Sequence, residues 1–149
     1  MPRRPSSKAR RVADALDAAL EALARRDLTE QELVERLARL GVPEEERADT
    51  VARLRRLGYV DDGKVAAARA EHLVERGQSD AAIRADLSRR GVPDHMAAET
   101  VAALEPERAR AARLAERLGG GPRAARALAR KGFAGDSIEP VLAAIAKDT

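Results

Sequence analysis

Apolar residues recur along the chain at helical spacing, and glycine interrupts this pattern at regular places. When the motif Gly41-Val42-Pro43 is aligned with Gly91-Val92-Pro93 and with Gly132-Phe133-Ala134, the surrounding apolar positions also coincide. The coinciding sets are Leu37, Leu87 and Leu128 before the glycine, then Val51, Val101 and Leu142, and Leu54, Leu104 and Ile145, after it. Self-similarity of this kind indicates tandem copies of one supersecondary unit. The pattern predicts three copies.

Each copy is predicted to contain three helices. In the first copy, leucines at helical spacing run to about Arg26, and Thr29 with Glu32 forms the capping-box pattern that opens a second helix. Gly41 suits a helix that ends in a left-handed residue, and Pro43 suits the first turn of a third helix. The later signals are Gly77, Ser79, Gly91 and Pro93, then Pro106, the break at Gly119-Gly120-Gly121-Pro122, and a cap at Asp136 or Ser137.

The predicted fold is therefore all-α, with three tandem three-helix repeats stacked into an elongated, curved rod. Short helices with one apolar stripe are stable only when neighbouring copies stack on them. We predict a basic, flexible N-terminal tail over residues 1–13 and repeats over residues 14–62, 63–105 and 106–149. Phe133 is predicted to be core, and Tyr59 is predicted to pack back on the helix before it.

Two absences in the sequence bear on the compartment. The chain contains no cysteine, which removes disulfides and thiolate chemistry and is compatible with a reducing environment. No stretch resembles a signal peptide or reaches the ~18 apolar residues of a membrane span. We therefore expect a cytoplasmic protein that does not associate with membranes.

The net charge is +3, but the positive charge is concentrated at the two ends of the chain. Residues 1–13 carry five basic and no acidic side chains, and residues 106–149 carry nine basic against five acidic ones. The middle is acidic, with eight basic against eleven acidic residues over 14–60 and six against nine over 61–105. This profile favours an anionic partner held at the ends, and a solvated tail and helix surface is the alternative.

Residues suited to catalysis are few. The histidines are His72 and His95, and neither has a second imidazole on its predicted helix, so we assign no metal to them. The segment 119–123 follows a helix rather than a strand and lacks the Gly-Lys-Ser/Thr end of a phosphate-binding loop. We therefore predict no enzymatic activity, no metal and no cofactor.

Basic residues in the third copy are ordered along two predicted helices. Arginines at positions i, i+3 and i+7 form a ridge beside each apolar stripe. The ridges consist of Arg110, Arg113 and Arg117 on one helix, and of Arg123, Arg126 and Arg130, extended by Lys131, on the next. Two such ridges can straddle a phosphate backbone or meet an acidic protein surface, and a solvated face is the alternative.

Further arginine pairs lie in predicted last turns, where cations interact favourably with the helix dipole. We add two of these pairs, Arg25, Arg26, Arg55 and Arg56, to the candidate binding residues for a nucleic acid or a protein. With both aromatic side chains assigned to packing, binding of single strands by base stacking is disfavoured.

Three segments of the sequence resemble the RecX family. They are Leu57-Gly58-Tyr59-Val60-Asp61-Asp62, Arg89-Arg90-Gly91-Val92 and Ala129-Arg130-Lys131-Gly132-Phe133. The resemblance covers roughly residues 14–146 and includes the number and order of the repeats. It implies a small bacterial protein that binds the RecA recombinase filament on DNA and regulates recombination and the SOS response to DNA damage, without catalysis. The basic ridges would contact DNA phosphate, RecA, or both.

The second repeat departs from the family pattern. Val65, Arg69, Glu71 and Leu73 stand where aromatic and basic residues are usual, and Asp80-Ala81 replaces a basic helix start. This departure shifts the expected DNA contact to the first and third repeats.

The leading hypothesis is a monomeric protein that inhibits or modulates the ATPase, strand exchange and filament growth of RecA. The first alternative is a stand-alone helical DNA-binding or transcription-regulating protein, since short three-helix units can enter a major groove. A third hypothesis is a helical scaffold for an acidic protein partner.

Overall fold

The computed structural model describes residues 1–147, and this part of the chain forms nine α-helices and no strand. The helices are α1 (Ser7–Arg25), α2 (Glu30–Arg39), α3 (Glu44–Arg56), α4 (Asp62–Glu75), α5 (Asp80–Arg89), α6 (Asp94–Ala102), α7 (Glu107–Arg117), α8 (Gly121–Arg130) and α9 (Gly135–Lys147). The predicted all-α class and helix count are confirmed. No helix within the described residues is long and apolar enough to cross a bilayer.

The first helix begins earlier than the sequence suggested. The Ser6 hydroxyl accepts the Ala9 amide at 3.1 Å and caps α1, which therefore starts inside the segment that we expected to be a flexible tail. Arg11 Nε also lies 3.4 Å from Glu46 Oε1 on α3. The cap and this contact stabilise the first turns, so residues 7–13 belong to α1 and were wrongly assigned to a flexible tail.

The chain divides into two compact units. The first comprises residues 1–65 together with 90–92, and the second comprises residues 66–89 together with the chain from Pro93 onward. In the first unit the core is formed by buried side chains of α1, α2 and α3 with Val60, including Leu33, Leu37 and Leu54. Burial of each leucine stabilises the fold by roughly 1.5–3 kcal/mol relative to exposure.

The largest core cluster of the second unit lies among α7, α8 and α9. It contains Leu114, Leu128, Ile138 and Val141, and Phe133 is buried in it as predicted. One aligned position of the last helix is wrong, because Leu142, which was aligned with the buried Val51, is 52% exposed. Ile145, which was aligned with Leu54, packs against the core as expected. The buried faces of α3 and α9 therefore share the aligned positions Thr50 and Val141 and differ at one edge.

Two of the predicted helix caps are confirmed. Thr29 and Glu32 form the capping box, with the Glu32 amide bonded to Thr29 Oγ1 at 3.1 Å and the Thr29 amide bonded to Glu32 Oε1 at 2.9 Å. The Ser79 hydroxyl accepts the Ala82 amide at 3.1 Å. The glycine stops also hold, since Gly41 has φ 82° and Gly91 has φ 86°, a left-handed conformation that favours glycine.

The predicted cap of the last helix is wrong. Helix α9 begins at Gly135, and Asp136 and Ser137 lie within its first turn. Glu107 Oε1 accepts the Ala134 amide at 2.8 Å, and the Glu107 carboxylate also bonds the buried Ser137 side chain. A carboxylate from α7 thus does the capping, and it turns Ser137, with Val141 one turn later, towards the core.

A repeated hydrogen-bonded joint links the start of one helix to later segments of the chain. In the first joint, the Thr29 hydroxyl donates to the Arg90 carbonyl at 2.6 Å, and Asp62 Oδ1 accepts the Glu30 amide at 2.8 Å. All of these residues belong to the first unit. The hydroxyl that caps α2 therefore also binds the carbonyl that precedes Gly91.

The second joint repeats this arrangement within the second unit. The Ser79 hydroxyl donates to the Lys131 carbonyl at 3.0 Å, and Glu107 Oε2 accepts the Asp80 amide at 2.8 Å. Serine replaces threonine and glutamate replaces aspartate, but each joint pairs a capping hydroxyl with a carbonyl before a glycine. The sequence repeat is therefore also a repeat of hydrogen-bond geometry.

Candidate nucleic-acid and protein interface

The predicted ridge on α8 forms one exposed face of that helix. Arg123, Arg126 and Arg130 follow i, i+3, i+7 spacing and are exposed, opposite the buried side chains of Ala124, Ala125 and Leu128. The Lys131 side chain is exposed at the end of the same helix. None of these four cations has an acidic partner among residues 1–147, so the positive charge of this face is uncompensated. We call these four residues the α8 face.

The predicted ridge on α7 is broken at its first member. Arg110 is 6% exposed and is held by three acceptors: Asp80 Oδ1 at 2.5 Å, the Gln78 carbonyl at 2.9 Å and the Glu105 carbonyl at 3.3 Å. The buried face of α7 is wide enough to include this position, together with Glu107, Ala111 and Leu114. Arg110 therefore serves the second joint, and we correct its assignment as a surface binding residue.

The other two members of that ridge are exposed. Arg113 binds both carboxylate oxygens of Glu105, while Arg117 has no ion-pair partner in the described part of the chain. The hydrogen bonds from Arg113 lower the pKa of Glu105, and those to Glu105 raise the pKa of Arg113. Because both side chains are solvated, the pair adds little stability, but it compensates the charge of Arg113.

The candidate arginines of the first unit are mostly paired with glutamates. Arg25 lies 3.9 Å from Glu21, Arg26 lies 3.5 Å from Glu32, and Arg55 donates to Glu30 at 2.7 Å. Arg56 is exposed and has no ion-pair partner within residues 1–147. The sequence selected these four arginines because they lie near helix ends. The structure shows that nearby glutamates compensate three of them, which leaves Arg56 with an uncompensated charge.

Tyr59 is exposed, contrary to the expectation that it packs on the preceding helix. Its side chain is 60% exposed, and Leu57 and Leu40 are also exposed. Gly58 has φ 81° and the Tyr59 amide bonds to the Leu54 carbonyl at 2.9 Å, so the chain reverses there and Val60 takes the buried position. One aromatic ring therefore stands beside Arg55 and Arg56 in the sequence and is accessible to a partner.

The histidines remain outside any cluster. His72 and His95 are both exposed, and the described residues contain no group of three His, Asp or Glu side chains arranged to hold a metal ion. Residues that the sequence did not single out are Arg36 and Arg39 on α2, which line one cleft with Arg25 and Arg26. Their i, i+3 spacing on the outer face of α2 was the available signal.

Comparison with known sequences matches the first repeat to one family. A family model described as RecX, first three-helix domain, matches residues 15–54. Regulatory protein RecX of Vibrio cholerae serotype O1, strain M66-2, is 36% identical over 73 residues, which are 49% of this chain and 48% of that protein. The same protein of strain ATCC 39315 gives the same figures. The chain thus aligns with about half the length of these curated relatives.

Solved structures extend the similarity of fold to most of the chain. The crystal structure of RecX from Lactobacillus salivarius superposes with a TM-score of 0.80 at 21% identity, covering 92% of this chain and 97% of that one. A second structure, a crystal structure of regulatory protein RecX, has a TM-score of 0.76 at 21% identity and covers 93% and 79%. Together with the sequence matches, these likenesses confirm the predicted resemblance to the RecX family and its fold.

Proposed function

We propose, on the premise of this confirmed resemblance to the RecX family, that the protein binds the RecA filament on DNA and modulates its activity. The observation that best supports the proposal is the α8 face, with four exposed cations and no acidic partner in the described chain. A helix surface of this kind favours a strongly anionic partner, and a nucleoprotein filament presents both phosphates and protein. The proposed action is binding without catalysis.

The spacing of the α8 face suits contact with a phosphate backbone. At a rise of about 1.5 Å per residue, Arg123, Arg126 and Arg130 are separated along the helix axis by about 4.5 Å and 6 Å. Double-stranded DNA carries one negative charge per roughly 1.7 Å of its axis, so each arginine can meet a different phosphate or share one. Because phosphate contacts position a protein but carry no sequence information, we propose binding without base-sequence preference.

Modulation follows if the bound protein restricts the filament. A chain that contacts neighbouring RecA protomers would hinder the rearrangement or regrowth on which strand exchange depends. We propose that ATPase, strand exchange and filament growth are all lowered, and that a single copy of the chain is the binding unit. Since the proposed partner acts in the bacterial cytoplasm, we propose the same compartment for this protein.

The decisive experiment measures RecA activity on DNA with and without the protein. We expect DNA-dependent ATP hydrolysis and strand exchange by RecA to fall as the full chain is titrated in. The variant R123A/R126A/R130A should weaken binding to RecA-coated DNA by about ten- to a hundredfold, with an unchanged far-ultraviolet CD spectrum. The matched control R76A/R84A/R89A removes three exposed arginines elsewhere and should change binding by less than about threefold.

Unchanged ATPase and strand exchange at stoichiometric excess would overturn the proposal. Equal losses in the triple variant and in its control would remove the α8 face as the contact. Sequence-specific protection of DNA without RecA, measured by footprinting, would favour the alternative of a stand-alone DNA-binding regulator.

A further inference from the structure

The first unit contains a cleft lined by arginines, and none of the α8 residues proposed to contact DNA contributes to it. The cleft lies between the end of α1 and the outer face of α2 and has a volume of about 270 Å³. Four arginines and two glutamates dominate its lining: Arg25, Arg26, Arg36, Arg39, Glu32 and Glu35. Sites for drug-sized ligands are usually larger, about 300–1,000 Å³, so the cleft suits a small group.

The local structure explains why the arginines converge. Helix α1 ends at Arg25, which leaves Arg25 and Arg26 at the turn before α2. Arg36 and Arg39 are three residues apart on α2; Arg39 is exposed, and Arg36 is half-buried at the edge of the face that buries Leu33 and Leu37. Packing of the leucines into the core thus fixes the direction in which these two arginines project.

The glutamates of the cleft are already engaged. Glu32 accepts the Thr29 amide at 2.9 Å and Arg90 at 3.2 Å, and Arg26 lies 3.5 Å away. Burial raises the pKa of Glu32, but these hydrogen bonds and the charges of Arg90 and Arg26 outweigh burial and lower it. Glu35 accepts the Gln31 amide group at 3.2 Å. Arg36 and Arg39 form no ion pair of their own within residues 1–147, so the four arginines and two glutamates of the lining leave a net positive charge.

The cleft is specific to the first repeat. At the offset that aligns the first two repeats, Arg25, Arg26, Arg36 and Arg39 correspond to Glu75, Arg76, Asp86 and Arg89. Two of the four positions are thus acidic in the second repeat. There Arg69 donates two hydrogen bonds of 2.9 Å to the Asp86 carboxylate. With its four arginines and two glutamates, the lining of the first repeat keeps a net positive charge and favours an anionic group, whereas basic and acidic residues balance at the four aligned positions of the second repeat.

We propose that this cleft binds a phosphodiester group of a DNA strand, as a second phosphate site distinct from the α8 face. Arginine suits the role because its planar guanidinium donates two parallel hydrogen bonds to phosphate oxygens. The inference rests on the proposed function for its ligand, but it concerns binding to DNA without RecA. Free phosphate and nucleotides share the same chemistry and are compared with DNA in the test.

The test measures fluorescence anisotropy of a short labelled oligothymidine with the full chain, without RecA, at several NaCl concentrations. We expect R36A/R39A to weaken DNA binding about tenfold at low salt and to reduce the slope of log affinity against log salt by about one. The matched control R76A/R89A removes two exposed arginines from the second repeat and should change affinity by less than about twofold. The substitution R36D, which copies Asp86 of the second repeat, should weaken binding further.

Competition identifies the source of the phosphate. Inorganic phosphate and ATP at millimolar concentration should displace the oligothymidine only weakly if several linked phosphates are bound at once. Unchanged affinity and salt slope in R36A/R39A, with CD spectra matching the wild type, would overturn the proposal. So would equal losses in the control variant, or loss of poly-glutamate binding in R36A/R39A while DNA binding persists.

The outcome is separable from the proposed regulation of RecA. If R36A/R39A loses DNA affinity while the wild type leaves RecA ATPase unchanged, the cleft stands and the regulatory proposal fails. If the wild type inhibits RecA and R36A/R39A binds DNA normally, the regulatory proposal stands and the proposal for the cleft fails.

Discussion

Helices α7 and α8 carry arginines at the same i, i+3, i+7 spacing, yet they use them differently. On α7, Arg110 is buried against Asp80 and two backbone carbonyls, and Arg113 is paired with Glu105. On α8, Arg123, Arg126 and Arg130 are exposed and have no acidic partner in the described chain. Identical spacing therefore produces one structural arginine and one compensated arginine on α7 and an uncompensated basic face on α8, depending on where the acids lie.

The largest effect is expected when Arg110 is removed. R110A leaves Asp80 and the Gln78 carbonyl without their donor, and it should lower the free energy of unfolding by about 2–3 kcal/mol. The estimate is below that for a fully buried pair because the Asp80 side chain is 36% exposed. Urea denaturation followed by CD measures it. A loss below about 0.5 kcal/mol would mean that Arg110 is no more structural than the arginines of α8.

The pH dependence of stability tests the structural role of Glu107, which belongs to the same joint as Arg110. Burial raises the pKa of Glu107, but hydrogen bonds from the Ala134 and Asp80 amides and from Ser137, with the charge of Arg110, outweigh it and lower the pKa. A carboxyl whose pKa is lowered in the folded state adds stability above its unfolded pKa of about 4.5, and that stability is lost as pH falls through the folded pKa.

We therefore expect the wild type to lose stability below about pH 4.5 more steeply than E107Q, which is less stable at neutral pH by about 1–3 kcal/mol. Thermal or urea unfolding at several pH values measures both effects. Parallel pH profiles for the two proteins would contradict a stabilising role of the ionised carboxylate.

Glu105 offers a way to make α7 resemble α8. E105Q removes the acid that compensates Arg113, so Arg113 and Arg117 would both be free, and DNA affinity should rise about two- to threefold. The free energy of unfolding should stay close to that of the wild type, because the pair is solvated. Anisotropy measurements at low salt detect the gain. Lower affinity in E105Q would show that the pair positions Arg113 for binding.

The smallest effect on stability is expected for the α8 face itself. R126A should change the free energy of unfolding by less than about 0.5 kcal/mol, since its side chain is solvated and unpaired in the described chain. Its effect should appear in binding to RecA-coated DNA instead, as a loss of about threefold or more that diminishes at high salt. A destabilisation comparable to that of R110A would erase the distinction between the two helices.

Local signals in the sequence predicted most of the fold. The capping box at Thr29, the cap at Ser79 and the stop at Gly91 depend on residues within three or four positions of one another, and all three are confirmed. The start of α9 was missed because its cap is Glu107, 27 residues away in the sequence. The repeat alignment also failed at Leu142, which is exposed, although Ile145 packs against the core as aligned.

The candidate site was less predictable than the fold. Helical spacing placed the α8 arginines on one face, and the apolar positions around them located the buried side. The same reasoning failed for Arg110, because the charge pattern along a helix does not reveal which acids approach from other helices. It also overlooked Arg36 and Arg39, which line a cleft with residues from the end of α1. Tyr59 was misplaced because the turn at Gly58 brings Val60, rather than the ring, into the core.

The amino-acid sequence by itself determined that the chain is helical, that one three-helix unit recurs, and that arginines line up on α7 and α8. These properties depend on backbone propensity and side-chain periodicity, which act over a few residues. Tertiary structure alone decided which cations are available to a partner, because Arg110 meets Asp80 across 30 residues and Arg90 meets Glu32 across 58. Charge compensation is a property of distance in space, and only folding sets that distance.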